Sequence, residues 1–393
     1  MAEKRNSRSK NSSSKKQQSV SIKLTKATAI ALIVVILIVA IACITLYFGF
    51  PDTWAKFVLF FGDKNTVQTE GTLPSGAMQF ADGDLSVHYI DIGQGDCVYI
   101  MFPDKRDMLI DCGKTSSDFP YQKTLDYLNL YVTDGELDFL MLTHTDQDHV
   151  GYLDDVLRDY DVNTIFMPNV KAEPTNAELS AQIAALPAEK LDIFTDKDTI
   201  STATYANFFI AALTEPNCEV FVNMDKDANT NNVKISGQNF DFTFYCPTAD
   251  YLKNSDLSNA KKINAVSPIG ILEYNGFRLV FTGDSNEINE PMFVDRVGFL
   301  NCDVLKVGHH GSDSSSTESF LDAIDCEYAV FCCNAKGNSN RHPRQVVIDR
   351  LLSRNAEILR TDNNGTIVLV VNQKMQFYTQ RKLDKTANQI GLK

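Results

Sequence analysis

Hydrophobic and polar positions divide this chain into stretches of different rhythm. Residues 1–26 are polar throughout, rich in Ser, Asn, Gln and Lys, and read as a disordered tail. Residues 29–50 form an unbroken apolar run of 22 residues without a charge. As a helix this run reaches about 33 Å, enough for a hydrocarbon core of roughly 30 Å. Residues 51–84 lose the pattern and carry scattered Gly, Pro and Thr, so they read as a linker. From Leu85 the rhythm is dense. Period-two or short apolar runs predict strands over 86–92, 97–102, 108–112 and 137–142, and later over 268–274, 277–282, 303–307, 328–332, 358–360, 366–371 and 375–379. Helical spacing predicts helices over 121–131, 148–160, 288–297, 317–324 and 343–352. The middle, 163–260, offers one helix near 176–185, weak strands near 217–223 and 240–246, and a polar loop at 225–232. Two strand-rich halves flanked by helices predict two packed sheets covered by helices.

Charge sharpens this division. Lys+Arg is 37 against Asp+Glu 50, and the net charge is −13. Residues 1–26 hold eight basic residues and one acid, which gives that segment +7 and leaves −20 for the remainder. A basic flank before an apolar run predicts a cytoplasmic N-terminus, a membrane span over 27–50 and an extracytoplasmic body. A cleaved signal peptide, or a lipoprotein signal ending at Cys43, is the alternative. A body this acidic does not gather polyanions by its overall field, so attraction for a phosphate would have to come from bound metal or a local patch. The nine cysteines form no CxxC pair, and most sit in apolar runs as expected of buried thiols.

Candidate chemistry is concentrated in few places. The six histidines are His88, His144, His149, His309, His310 and His342. His144, Asp146, Asp148 and His149 follow one apolar strand and precede a helix. Two imidazoles and two carboxylates at a strand end suit one or two divalent cations. Helix capping by Asp148 would explain one of the four residues only. The hydroxyl run 312–317 reads as a loop ending in a helix N-cap, or as a phosphate cradle. Tyr152 either packs under its helix or stacks on a substrate base.

The H-x-D-x-D-H arrangement of 144–149 resembles the metal motif of the metallo-β-lactamase superfamily, in the ComEC-type competence branch. Further segments are similar to motifs of that branch in the same order: Asp91-Ile92-Gly93-Gln94-Gly95-Asp96, Gly283-Asp284, His309-His310-Gly311-Ser312, His342-Pro343 and Thr361-Asp362-Asn363-Asn364-Gly365. The resemblance spans about residues 85–380. It implies an α/β fold, a four-layer αββα sandwich over 85–393, preceded by one transmembrane helix. It implies two divalent metal ions, Zn or Mn. His144 and Asp146 would bind the first, Asp148 and His149 the second, and Asp284 would bridge them. His309 or His310 would complete the second site, and the other would contact substrate or protonate the leaving group. Asp91 would orient the cluster from outside. Gln94, Asp96 and Ser312 belong to the same motifs, and would support the ligands from outside or contact substrate. His342 would stand at the rim. Asn264 and Ser267 match an N-x-x-S that would place substrate or water. Arg341 stands where the branch has Gly, and would add a phosphate contact or simply be tolerated. The superfamily's third-motif histidine is absent, since no histidine lies between His149 and His309.

The implied activity is hydrolysis by a metal-activated hydroxide, with Asp148, Asp284, His310 and His342 as catalytic candidates. A phosphodiester of DNA or RNA is the first substrate class. A cell-envelope phosphodiester, such as a teichoic-acid-type phosphorylcholine ester, is the second, and a non-catalytic surface binding module the third. With one candidate span and no counterpart of the multi-helix channel of ComEC-type transporters, the chain is not expected to carry DNA across a membrane by itself.

Overall fold

The computed structural model describes residues 68–74, 76–113, 118–194, 199–222, 232–247, 259–336 and 339–392. These all belong to the second of two units, 1–62 and 63–393. The basic tail, the expected span over 27–50 and most of the linker lie outside the described residues. Among the described residues no helix is long and apolar enough to cross a membrane.

Eighteen strands are described. The first nine are β1 (Gln68–Thr72), β2 (Leu85–Tyr89), β3 (Val98–Met101), β4 (Asp107–Ile110), β5 (Glu136–Met141), β6 (Asp161–Met167), β7 (Lys171–Ala172), β8 (Thr199–Ile200) and β9 (Glu219–Val222). The rest are β10 (Asn232–Gly237), β11 (Phe240–Tyr245), β12 (Ile269–Tyr274), β13 (Phe277–Phe281), β14 (Val304–Lys306), β15 (Tyr328–Phe331), β16 (Glu357–Arg360), β17 (Ile367–Val371) and β18 (Met375–Thr379). One sheet has the order β1-β18-β17-β2-β3-β4-β5-β6-β9, the other β10-β11-β12-β13-β14-β15-β16, and β7 pairs with β8 apart from both. In each sheet antiparallel hairpins give way to parallel strands: β4, β5, β6 and β9 in the first, β13 to β16 in the second.

Three apolar cores define four layers. Period-two alternation sends Met108 and Ile110 of β4 into the core between the sheets and Leu109 to the opposite face. Likewise Phe277, Leu279 and Phe281 of β13 enter that central core, while Val280 faces away. In the middle Phe102 stacks on Phe240 with ring centroids 4.7 Å apart. Behind the first sheet lie helices α1 (Tyr121–Leu128), α2 (Gln147–Val150), α3 (Leu153–Asp159) and α4 (Ala203–Thr214). There Leu140 and Ile165 share a core with Val156 and Phe209. Behind the second sheet lie α5 (Glu290–Val297), α6 (Glu318–Ile324) and α7 (Gln345–Ser353), where Leu305 and Ala329 meet Phe293, Phe320 and Ile348. Each such buried side chain contributes roughly 1.5–3 kcal/mol. This is an α/β sandwich with helices on both outer faces.

The structure departs from the sequence reading in four places. The single helix expected over 148–160 is two, α2 and α3, broken at Gly151-Tyr152, where Tyr152 leaves the helical region with φ −122°. Strand β6 and helix α4 had no clear signal. Residues 68–72, read as linker, pair in parallel with β18 at the edge of the first sheet. Tyr152 is buried, its ring tilted against Tyr121 at 5.4 Å, which is the packing alternative. The eight cysteines among the described residues are free thiols, all buried except the half-buried Cys218.

Candidate metal centre

The site forms where parallel strands of both sheets end. In the first sheet β4 delivers Asp111 and β5 delivers His144. In the second, β13 delivers Asp284 and β14 delivers Lys306 and the 3-10 turn Gly308–Gly311. Residues 143–149 fold as a loop and one helical turn, with Asp146 at the N-cap position of α2 and making no side-chain cap bond. The turn sits close against the rest of the first sheet. The backbone N–H of Asp96 donates to the Asp148 carbonyl at 3.0 Å, and that of Cys112 donates to the His149 carbonyl at 2.9 Å. Gly113 permits this approach: a Cβ there would lie 1.8 Å from the Asp148 carbonyl oxygen.

Tautomers follow from the outward bonds of three buried rings. His149 Nδ1 donates to Asp111 Oδ2 at 2.7 Å. His310 Nδ1 donates to the Cys332 carbonyl at 2.8 Å. Thr143 Oγ1 donates to Asp111 Oδ2 at 2.7 Å, which leaves its lone pair to accept from His144 Nδ1 at 3.1 Å. With all three Nδ1 atoms committed as donors, the Nε2 atoms point inward, where their lone pairs are available to a cation. They converge on carboxylates. His149 Nε2 lies 3.1 Å from Asp284 Oδ1 and 3.2 Å from His310 Nε2. His310 Nε2 lies 3.3 Å from Asp148 Oδ2 and 3.7 Å from Asp284 Oδ1. His144 Nε2 is buried without a hydrogen-bond partner, 3.8 Å from both Asp146 Oδ2 and Asp284 Oδ2.

This arrangement fits cations. Two ligand atoms on a tetrahedral ion at 2.0–2.1 Å stand ~3.3 Å apart, the spacing found around His149, His310, Asp148 and Asp284. At 3.2 Å the Nε2 atoms of His149 and His310 need either a proton or a metal ion between them. Asp284 presents Oδ1 to one pair of histidines and Oδ2 to His144, so its carboxylate can serve two ions. Five carboxylates (Asp96, Asp111, Asp146, Asp148, Asp284) gather here, and among the described residues Lys306, ion-paired with Asp96, is the ammonium that faces them. The electrostatics express that deficit. Burial works against a charge on His310, yet Asp284, Asp148 and Asp96 hold its pKa up to about 10. Burial also opposes the His149 charge, but Asp284 and Asp111 raise its pKa well above the ordinary value. Burial, then repulsion from Asp148 and Asp284, pushes Asp146 up to about 6. Burial and His149 bring His144 down to about 3, so it stays a neutral donor of a lone pair.

The remaining expected residues fall in different places. Ser267 accepts from the Asp284 backbone N–H at 3.2 Å and sits 3.3 Å from His144 Nδ1, which puts it against the cluster. The Asn264 amide lies 3.2 Å from His309 Nε2. His310 stands inside the cluster, whereas His309 stands at its mouth, partly exposed, with Nε2 3.6 Å from Asp284 Oδ2. His342 is buried beside it, edge-on to His309 at 5.0 Å, and burial with the neighbouring histidines lowers its pKa to about 4. Asp96 touches the cluster from behind, 3.4 Å from His310 Nδ1. Three residues do otherwise. Asp91, expected to orient the ligands, instead pairs at 3.0 Å with Arg381, which lies just after β18. Gln94 accepts from the Asn334 backbone N–H at 3.0 Å and so ties two loops together. Ser312 accepts from the Ser314 backbone within its own turn, and Thr317 caps α6 by accepting from Phe320, as the N-cap reading of that run expects. Arg341 is exposed, with a left-handed φ of 61°. Asp111 and Lys306 were missed. Asp111, after an apolar strand, carried the same strand-end signal as His144 but stood alone.

Comparison with known proteins agrees with this geometry. The sequence model of the Metallo-beta-lactamase superfamily matches residues 90–210. Over these residues the chain resembles the metallo-β-lactamase superfamily. Its body is similar to competence proteins: it is 26% identical over 300 residues to ComE operon protein 3 of Bacillus subtilis, covering 72% of this chain and 32% of that protein. It is 34% identical over 119 residues to Competence protein ComA of Neisseria gonorrhoeae, covering 30% of this chain and 17% of that protein. The chain thus spans about a third or less of the length of these relatives. Among solved structures, the metallo-beta-lactamase fold protein YhfI from Bacillus subtilis matches at 12% identity and a TM-score of 0.39, covering 73% of this chain and 100% of that one. The similarity supports a hydrolase fold that uses divalent metal, and the clustered His144, His149, His310, Asp148 and Asp284 are the residues that could hold it.

Proposed function

We propose that the chain is a metal-dependent phosphodiesterase, held at the outer face of a membrane by residues 27–50, with nucleic acid as its first substrate class. The observation that carries this reading is the convergence of three Nε2 lone pairs on Asp148 and on the two oxygens of Asp284. Two adjacent ions, Zn or Mn, would supply the Lewis acidity and the water activation that phosphodiester hydrolysis needs. In that reaction the chain's own residues have separate tasks. Asp284 fixes the spacing of the two cation positions. Asp148, less buried than the histidines, borders the space where water would enter and orients its proton. His342 stands beside His309 at the mouth, where a leaving oxygen would depart. Asp111 and the Cys332 carbonyl hold the rings that must not turn.

The competence names of the relatives support nucleic acid as substrate. One observation favours a second reading. With −20 outside the basic leader, the body repels long polyanions, which suits a small phosphodiester of the cell envelope such as a phosphorylcholine ester. A metal-binding surface module without turnover is the remaining alternative. The test uses the full chain in mild detergent, loaded with Mn²⁺ or Zn²⁺, against bis-p-nitrophenyl phosphate, single-stranded DNA and a phosphorylcholine ester. DNA cleavage that falls at least roughly 100-fold in Asp148→Ala supports the nuclease. Cleavage of the phosphorylcholine ester alone supports the envelope enzyme. No turnover with metal bound overturns the catalytic reading. Separately, removing residues 27–50 should shift the protein from the membrane to the soluble fraction.

A further inference from the structure

We propose that His309 is a metal ligand of the first centre, so that the consecutive residues His309 and His310 each complete a different ion. This rests on the two-metal reading above and assigns each centre its full donor set. The second centre already has two nitrogens, His149 and His310, with Asp148 and Asp284 Oδ1. The first has only His144 as a nitrogen donor, with Asp146 and Asp284 Oδ2. His309 Nε2 lies 3.6 Å from Asp284 Oδ2, the oxygen that His144 Nε2 faces at 3.8 Å. His310 Nε2 faces the other oxygen, Oδ1, at 3.7 Å. The two neighbours therefore divide one carboxylate between them.

Backbone geometry explains how adjacent residues manage this. His309 and His310 both occupy the left-handed region, with φ 49° and 52°. Such a conformation costs energy for any residue with a Cβ, and a consecutive pair is rarer still. Its effect is to splay the rings, whose centroids stand 6.2 Å apart with planes at 73°. The turn is held in place by its surroundings. His309 N donates to the Gly283 carbonyl at 3.1 Å, next to Asp284 itself, and Ser312 N donates to the His309 carbonyl at 2.8 Å. The Asn264 amide, 3.3 Å from Nδ1 and 3.2 Å from Nε2, supports the ring from its open side. With its oxygen end turned to Nδ1 it would accept that N–H and leave Nε2 bare, the orientation that outer partners of ligating histidines impose. Each centre then has two nitrogens and two oxygens, with Asp284 shared.

The experiment counts bound metal and does not depend on turnover. The full chain is loaded with Mn²⁺, freed of excess, and examined by elemental analysis and by electron paramagnetic resonance. Wild type is expected to hold two ions per chain with an exchange-coupled signal. His309→Ala, and His309→Gln as the volume-conserving variant, should hold one ion with an isolated signal. The second ion should be weakened by roughly 100-fold or more, beyond the 10–100-fold typical of an outer partner. Ser312→Ala, which touches only its own turn, should keep both ions and the coupling. Two ions with wild-type coupling in both folded His309 variants would overturn the assignment while leaving the two-metal reading intact. One ion in wild type would overturn the assignment as well. No bound ion in wild type would sink the metal-dependent reading itself.

Discussion

Asp111 is the residue on which the metal side of the cluster turns. Its Oδ1 accepts the Thr143 backbone N–H at 2.8 Å and its Oδ2 takes His149 Nδ1 and the Thr143 hydroxyl, so one buried carboxylate sets the orientation of two ligand rings. Replacing it with Asn keeps the shape and removes the charge that raises the basicity of His149. Asp111→Asn should weaken divalent-metal affinity 10–100-fold, read by calorimetric titration, with the fold retained by circular dichroism. An affinity within twofold of wild type would show that Asp111 only fills space. A second single residue governs acid stability. His88 is fully buried, its Nδ1 2.7 Å from the Tyr127 hydroxyl and Nε2 3.0 Å from Ser86 Oγ, and burial lowers its pKa from 6.5 to about 3. The folded state thus keeps His88 neutral where the unfolded chain would protonate it. Its stabilising contribution is complete above pH 6.5 and is lost as pH falls toward 3, by up to about 5 kcal/mol. His88→Phe should flatten the fall in urea midpoint between pH 6 and 4. It should also lower stability at pH 7, since Tyr127 and Ser86 lose a partner. An unchanged acid slope would remove His88 from this account.

At the scale of elements, the cluster depends on a tight seam between the 143–150 segment and the loops after β2 and β4. A Cβ on Gly113 would stand 1.8 Å from the Asp148 carbonyl oxygen and 2.3 Å from its carbon, both backbone atoms with nowhere to go. Gly113→Ala should therefore cost about 3 kcal/mol in chemical denaturation and reduce metal content, because Asp148 and His149 must move. Gly76→Ala, with nothing within 4 Å of the added carbon, should stay within about 0.5 kcal/mol of wild type. Which elements could be read from sequence follows from how they are buried. Strands such as β13, with one face to each core, announced themselves by alternation. Helix α4 did not, because Tyr205, Ala206, Phe208, Phe209, Ala212 and Leu213 are all buried and leave no polar stripe to mark its period. In strand β6 the polar Asp161, Asn163 and Thr164 surround a single buried Val162, and only its second half is continuously buried, so the pattern was too short. The converging residues were legible where they clustered in sequence, at 144–149 and 309–310. The solitary Asp111 and Lys306 acquire meaning only once strand ends are brought together. No spacing rule could show that His310 enters the cluster and His309 its mouth, since a left-handed pair of residues decides it.

Across the described residues, the cluster joins two sheets whose facing sides pack in an apolar core. His144, Asp146, Asp148 and His149 hang from the first sheet, and Asp284 and His310 from the second. The core between the sheets, from Phe102 and Phe240 to Phe281, buries its rings regardless of metal. Without cations, however, the carboxylates at its open end repel one another across the junction, with the Lys306 ammonium and protonated imidazoles as their compensation. Any ion that binds the folded state alone stabilises it by mass action, about 4 kcal/mol at a free concentration a thousandfold above Kd. Exhaustive chelation should accordingly lower the melting temperature by several degrees. The loss should also be local. Hydrogen exchange should accelerate in 143–150, 282–284 and 307–312, on both sides of the junction together, while β2, β12 and β17 keep their protection. Asp284→Asn, which weakens the shared link, should show the same pattern even with Mn²⁺ present. If chelation leaves both melting and exchange unchanged, the two sheets are held by their apolar core alone and the cluster does not clamp them. If exchange rises in only one of the two sheets' loops, the ion belongs to that sheet and Asp284 is not shared.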